Sequence, residues 1–381
     1  MLAVNRRMAV LVVVSTLTAA LAACTPAAAP TPTPTKAPAA AATVPAAAPT
    51  KAAEPTKPPP PPATATPKPV TLKFGTTGAI NYAGIYLGME KGFFKEQGID
   101  IELVEFRTSS DSIPALATGQ LDLISTPLGA SILAAVDRGI ELKLVADAGQ
   151  GQQGWQTFWT VLRKDLADSG RVKTPADLKG MKLAIPSLAS SGEMMAQQMM
   201  AEGRLKKEDV ELVVLPHADQ VVALANKAID AGVTVEPYIA TGVQQGVSVK
   251  WIPKFKYYPS GKYQGSFFAF GPQLIKNKDV AQRWMLGYLK GVRAYLDAFS
   301  KKTGRDEVIS ILAKYTPIKD PKLYDLMELP YLDPNGLPDK PSMDIELQWY
   351  LDQGLYKGKT TFDAITDLSY AEYASQKLGR Q

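Results

Sequence analysis

Thr76, Thr77, Ser110, Thr126, Ser190 and Ser191 sit in short polar runs that follow apolar, strand-like runs. Asn81, Tyr82, Trp155 and Glu236 stand in comparable places. Hydroxyls, an amide, aromatic rings and a carboxylate suit reversible hydrogen bonding and stacking. Catalysis needs more than these. His217 is the only histidine and Cys24 the only cysteine, so a histidine-rich metal set and a Cys–His pair are both excluded. Neither a G-x-S-x-G nor a P-loop pattern occurs. The expected activity is capture of a small molecule, not an enzymatic reaction, with no cofactor and no metal.

Each candidate also has a purely structural reading. Ser190-Ser191-Gly192-Glu193 is S-x-x-E, a capping box. Thr126-Pro127 and Glu236-Pro237 each resemble a cap followed by a proline in the first helical turn. Arg107 pairs with an anionic ligand or is simply solvated, and His217 lies on a loop after a strand. Two ligand classes remain open. An anion such as a sulfonate can use helix N-terminal N–H groups and Ser/Thr loops. A planar heteroaromatic, such as a vitamin precursor or a flavin, can stack on Tyr82 or Trp155 and hydrogen-bond Glu236. The carboxylate disfavours a small anion and tilts the expectation to the ring compound.

The elements that must position these residues repeat. DSIPALATGQLD (111–122) and DQVVALANKAID (219–230) share five of twelve residues. Around each phrase the chain reads strand, polar loop, helix, strand, loop, helix, strand, from 70 to 126 and again from 181 to 235. Alternating strands and helices predict two α/β lobes with parallel sheets. Asp111 and Asp219 are expected as N-caps. Ligands of open α/β sheets sit at the loops beyond the strands' carboxyl ends, so two facing lobes make a cleft that closes by a hinge. WTVLRKDL (159–166) and SFFAFGPQLI (266–275) are read as the two crossovers, with hinges near Trp159 and Phe268. After 278 the chain reads as mostly helical and returns to lobe one. Tyr82, Ile85, Tyr86 and Met89 follow helical spacing, which predicts core positions for Tyr86 and Met89.

The chain's front is different. Arg6 and Arg7 precede an apolar run from Met8 to Leu21, a secretion signal too short to favour a lasting span. Residues 25–69 hold half of the 30 prolines and no glycine or aromatic residue, which predicts a semi-stiff tether. Residues 1–68 carry six basic residues and one acid, so the whole net charge of +5 belongs there. The remainder is formally neutral and offers no nucleic-acid face.

Two resemblances sharpen these expectations. LAAC (21–24) resembles a bacterial lipobox, which implies lipid on Cys24, a membrane anchor and an extracytoplasmic location. YAGIYLGMEKGFFKEQGIDIELVEF, GQLDLISTP and VEPYIATG resemble the solute-binding proteins of bacterial ABC importers. The branch is that of nitrate, sulfonate, taurine and thiamine-pyrimidine-precursor binders. The resemblance covers roughly 70–381 and implies a type II periplasmic-binding-protein fold, a monomer, and a permease with its ATPase as partners. A sensing lobe of a signalling system is the alternative from another class. The expected organisation is a signal at 1–23, lipidated Cys24 and tether at 24–69, lobe one at 70–158, lobe two at 159–268, and a return to lobe one at 269–381.

Overall fold

The computed structural model describes residues 68–127 and 129–381. The signal, Cys24 and nearly all of the tether lie outside the described residues. No helix among the described residues is long and apolar enough to cross a membrane.

Among the described residues, twelve strands form two five-stranded sheets and a short ribbon. They are β1 (Val70–Thr76), β2 (Ile99–Glu105), β3 (Leu123–Pro127), β4 (Lys143–Asp147), β5 (Gln150–Gln152) and β6 (Phe158–Arg163). Then come β7 (Lys182–Ile185), β8 (Glu211–Val214), β9 (Ala231–Val235), β10 (Ser248–Pro253), β11 (Lys262–Gln264) and β12 (Ser266–Phe270). The first sheet runs β2-β1-β3-β12-β4 and the second β10-β6-β9-β7-β8. In each repeat the first strand lies between the second and third, all parallel: β1 between β2 and β3, β7 between β8 and β9.

The sheets are not purely parallel. β12 pairs antiparallel with β3 and β4, and β6 pairs antiparallel with β9 and β10. The expected crossovers are therefore sheet members. β12 lies wholly in the first sheet, so a lobe boundary at 268 would cut a strand. Trp159 pairs with Thr234 and Pro253, and Phe268 with Ser125 and Ala146. A strand bonded on both edges resists bending, so neither residue is placed to act as a hinge. The chain instead passes between sheets on either side of the β5–β11 ribbon, where Gln152 opposes Lys262.

β12 also shows why its sequence is apolar throughout. Phe268 and Phe270 face a core shared with Tyr86, Trp284 and Tyr288, while Phe267 and Ala269 face another with Leu116, Tyr350 and Phe362. A strand buried on both faces loses polar alternation. Helix Ala83–Glu90 packs on the long helix Lys278–Ser300. There Gly291 approaches so closely that a Cβ on it would collide with the Gly84 carbonyl oxygen. Tyr86 is fully buried, while Met89 is partly buried at the edge of this core.

Asp111 and Asp219 take a different place from the expected N-caps. Thr108 caps the turn Ser109–Ser112. Its Oγ1 accepts the Asp111 N–H at 3.3 Å, and Asp111 Oδ2 accepts the Thr108 N–H at 3.2 Å. Asp219 lies in the first turn of helix His217–Ala225, which Pro216 precedes. Both acids still face the positive end of their helical turn.

Candidate functional site

A cavity of about 470 Å³ opens between the two sheets. Its first wall comes from the loops after β1 and β2 and from the end of β3: Thr77–Tyr82, Arg107–Ser109, Ser125 and Pro127. The second wall comes from Ser191, His217 and Val235–Pro237, at the starts of lobe-two helices. Thr157, Phe158, Lys254, Tyr263 and Ser266 form the connecting side, and Pro317 and Ile318 close the rim.

Five of the ten candidates line this cavity: Thr77, Asn81, Tyr82, Ser191 and Glu236. Tyr82 is only 3% exposed; its ring meets Phe74 edge-on at 5.2 Å and its hydroxyl sits 3.1 Å from Thr77 Oγ1. Asn81 Nδ2 donates to Ser266 Oγ at 3.4 Å, joining the two sides. The Glu236 carboxylate is occupied: Oε2 accepts the Ala240 N–H at 2.9 Å and Oε1 the Glu328 N–H at 3.4 Å. Lys250 Nζ stands 3.8 Å away. Burial pushes the Glu236 carboxyl up to about 7, against the pull of these partners.

The other five do not line it. Thr76 lies behind, 3.2 Å from the Tyr86 hydroxyl and accepting the Gly78 N–H at 3.0 Å. Ser110 is exposed on its short turn, and Thr108 and Ser109 take its expected place. Thr126 turns away and donates to the Pro127 carbonyl at 3.0 Å. Ser190 caps its helix, accepting the Glu193 N–H at 3.3 Å. Trp155 lies in a separate recess, 6.0 Å from the Tyr295 ring and 6.1 Å from that of Tyr331.

Ser125 is the residue that strand alternation puts in Thr126's expected position. It is 2% exposed, it lines the cavity, and its Oγ has no hydrogen-bond partner among the described residues. A buried polar atom left unpaired costs roughly 1–3 kcal/mol, so a partner supplied from the cavity would relieve it. His217 Nδ1 lies 3.2 Å from Thr234 Oγ1, and the ring stacks on Tyr238 at 6.2 Å. Burial pushes this imidazole down to about 4, which leaves it neutral near pH 7.

A family model described as NMT1/THI5 like matches residues 79–298, more than half of the chain. The chain belongs to the NMT1/THI5-like family. A Brucella abortus (strain 2308) protein named for binding is 26% identical over 199 residues. That stretch covers 52% of this chain and 58% of the relative, so the match spans little more than half the relative's length. The crystal structure of the periplasmic aliphatic sulphonate binding protein of Escherichia coli superposes with a TM-score of 0.62 at 20% identity, covering 78% of this chain and 92% of that one. The periplasmic nitrate-binding protein of Synechocystis PCC 6803 gives 0.60 at 16%, covering 83% and 91%. The desulfurization enzyme DszB gives 0.59 at 15%, covering 81% and 99%. The architecture is the type II periplasmic-binding-protein fold, with two α/β lobes around a cleft.

In this NMT1/THI5-like chain the least foreseen lining residue is Lys254. It is buried, its Nζ bonds Glu346 Oε1 at 2.7 Å, and the Tyr258 hydroxyl donates to the same oxygen at 2.6 Å. The ammonium also lies 4.4 Å from the Tyr263 ring centroid. A lysine inside WIPKFKYY is the available sequence signal, but its partner is 92 residues away. Arg107 is exposed at the cavity edge. The lining therefore carries one open cation, one buried paired cation, one neutral imidazole and one carboxylate turned to its own helix. No group of three or more His, Cys, Asp or Glu residues able to hold a metal occurs among the described residues.

Proposed function

We propose that this chain is the extracytoplasmic solute-binding component of an ABC importer. It captures a small molecule with an oxyanion head, of the sulfonate class, and delivers it to a membrane permease. The observation that carries the ligand class is the unpaired, buried Ser125 hydroxyl. It shares a cavity with the N-terminus of the 12-residue helix Ser191–Glu202 and with Thr77, Ser109 and Arg107. An oxyanion accepts from hydroxyls, helix N–H groups and a guanidinium together. The sulfonate and nitrate binders among the fold's relatives support the same class.

The ring-compound reading rested on Tyr82 or Trp155 for stacking and on Glu236 for a hydrogen bond, and Trp155 lies in a separate recess. The Tyr82 ring is packed in the core, and the Glu236 carboxylate is committed to Ala240 and Glu328. Lipid attachment at Cys24 and the Pro-rich tether complete the proposal as an anchored, monomeric receptor.

Calorimetric titration of the purified protein with ethanesulfonate, taurine, nitrate, riboflavin and a thiamine-pyrimidine precursor tests this. Binding of a sulfonate without binding of the neutral rings is the expected result. Tight binding of a neutral ring with no sulfonate signal overturns it. Turnover of any bound compound would make the chain an enzyme and overturn the binding reading.

A further inference from the structure

The cleft has a neighbour. A second concavity of about 470 Å³ lies between helix His217–Ala225 and helix Tyr238–Gln244. Pro237, Pro317 and Ile318 line both spaces, so the two meet at a shared rim. Their linings differ in kind. The cleft is rich in hydroxyls and charged groups, whereas the groove presents Val221, Val222, Tyr238 and Leu323 and no charged side chain.

Val222 is 60% exposed there, a large aliphatic residue facing water beside an apolar channel. The hydroxyl of Thr241 is turned back to the Pro237 carbonyl at 3.0 Å, which removes a polar group from the groove. Tyr238 connects the spaces as well: it lines the groove while stacking on His217, which lines the cleft. Contiguous apolar surface next to a polar site is a binding surface in waiting.

We propose that this groove is a second subsite that takes the apolar tail of the ligand whose anionic head occupies the cleft. The inference rests on the oxyanion reading above and adds to it the ligand's other half. The compound is then an amphiphilic anion, with an aliphatic chain or aryl group passing between Pro237 and the Pro317–Ile318 rim. Nitrate and taurine reach the head site alone and leave the groove empty.

A chain-length series tests this with the intact protein. Straight-chain alkanesulfonates from one to ten carbons are titrated into wild type and Val222→Asp. Val222 is exposed, so the substitution leaves the core untouched. The expected result is little or no gain for the shortest members, then a rise of up to about fourfold per methylene once the tail passes the rim. Val222→Asp should erase that rise while short sulfonates keep their affinity. If short sulfonates bind but affinity is flat with length, the tail subsite is overturned and the anion reading stands. A groove that serves a protein partner gives this same flat series. If no sulfonate binds at any length, the anion reading fails and the subsite falls with it.

Discussion

Asp230 stands in the second sheet where Asp122 stands in the first. Asp122 Oδ2 accepts the Lys73 N–H at 2.8 Å, and Asp230 Oδ2 accepts the Lys182 N–H at 2.9 Å. The backbones repeat the bond in reverse, with Asp122 N–H on the Lys73 carbonyl and Asp230 N–H on that of Lys182. The last residue of each repeated phrase thus ties the start of a third strand to a first strand, at mid-strand Lys73 in β1 and at the entry residue Lys182 in β7. Only Asp230 does more: Arg163 Nη1 donates to its Oδ1 at 2.8 Å. Asp230→Ala should cost about 2–3 kcal/mol and Asp122→Ala about 1 kcal/mol. Urea unfolding of the two variants checks this; equal losses would remove Arg163 from the account.

Ser125→Ala should leave stability unchanged or slightly raised, because the hydroxyl has no partner to lose. Ligand affinity should fall roughly 5–30-fold, equivalent to about 1–2 kcal/mol. Thermal melting and calorimetry on one preparation separate the effects. A large drop in melting temperature with unchanged affinity would make Ser125 a structural residue.

Glu236 and His217 should tilt stability with pH in opposite directions. Burial raises Glu236 to about 7, so the folded state holds a proton that the unfolded chain releases above its usual 4.5. Its contribution is therefore lost as pH rises from about 4.5 to about 7. Burial lowers His217 to about 4 from 6.5, so the folded state refuses a proton that the unfolded chain takes. Its contribution is lost as pH falls through that window. Each effect is worth up to about 3 kcal/mol. Glu236→Gln should flatten the decline on the neutral side, and His217→Asn the decline on the acid side. Urea midpoints across both windows that stay parallel to wild type would contradict the assignment.

Gly291→Ala should destabilise by about 1–3 kcal/mol without touching the cleft. Its Cβ would push the long helix off helix Ala83–Glu90 at the Gly84 carbonyl. A lower melting temperature with unchanged ligand affinity is the expected pair of readings. Retained melting temperature would mean that the helices separate freely.

Cys24→Ala should move the protein from the membrane fraction to the soluble fraction, or leave its signal uncleaved, with the melting temperature of the folded lobes unchanged. Membrane retention after complete signal cleavage would sink the lipid-anchor proposal.

Local grammar was legible because it depends on near neighbours. The repeat predicted two β-α-β-α-β halves, and both sheets carry the same second-first-third strand order. AGIYLGME declared its helix, which ends at Glu90 where the sequence run continues to Gly98, and Ser190 declared its cap, both from residues within a few positions. The single histidine and single cysteine argued in the sequence against a histidine-rich metal set and a Cys–His pair.

What only the tertiary structure decided lies in long-range pairing. SFFAF reads equally as a crossover or a doubly buried strand until its two neighbours, β3 and β4, are in place. Thr126 and Ser125 exchange roles because strand alternation has a phase that the sheet, not the local run, sets. The Glu236 carboxylate accepts from the Ala240 N–H and from a segment 92 residues away, a pairing that its own neighbours in the chain do not announce. Lys254 enters the cleft because Glu346, far along the chain, makes its burial affordable. Residue types fix which interactions a chain can make. Which partner each buried group meets depends on distant segments, and a buried charge or hydroxyl takes its role from that partner.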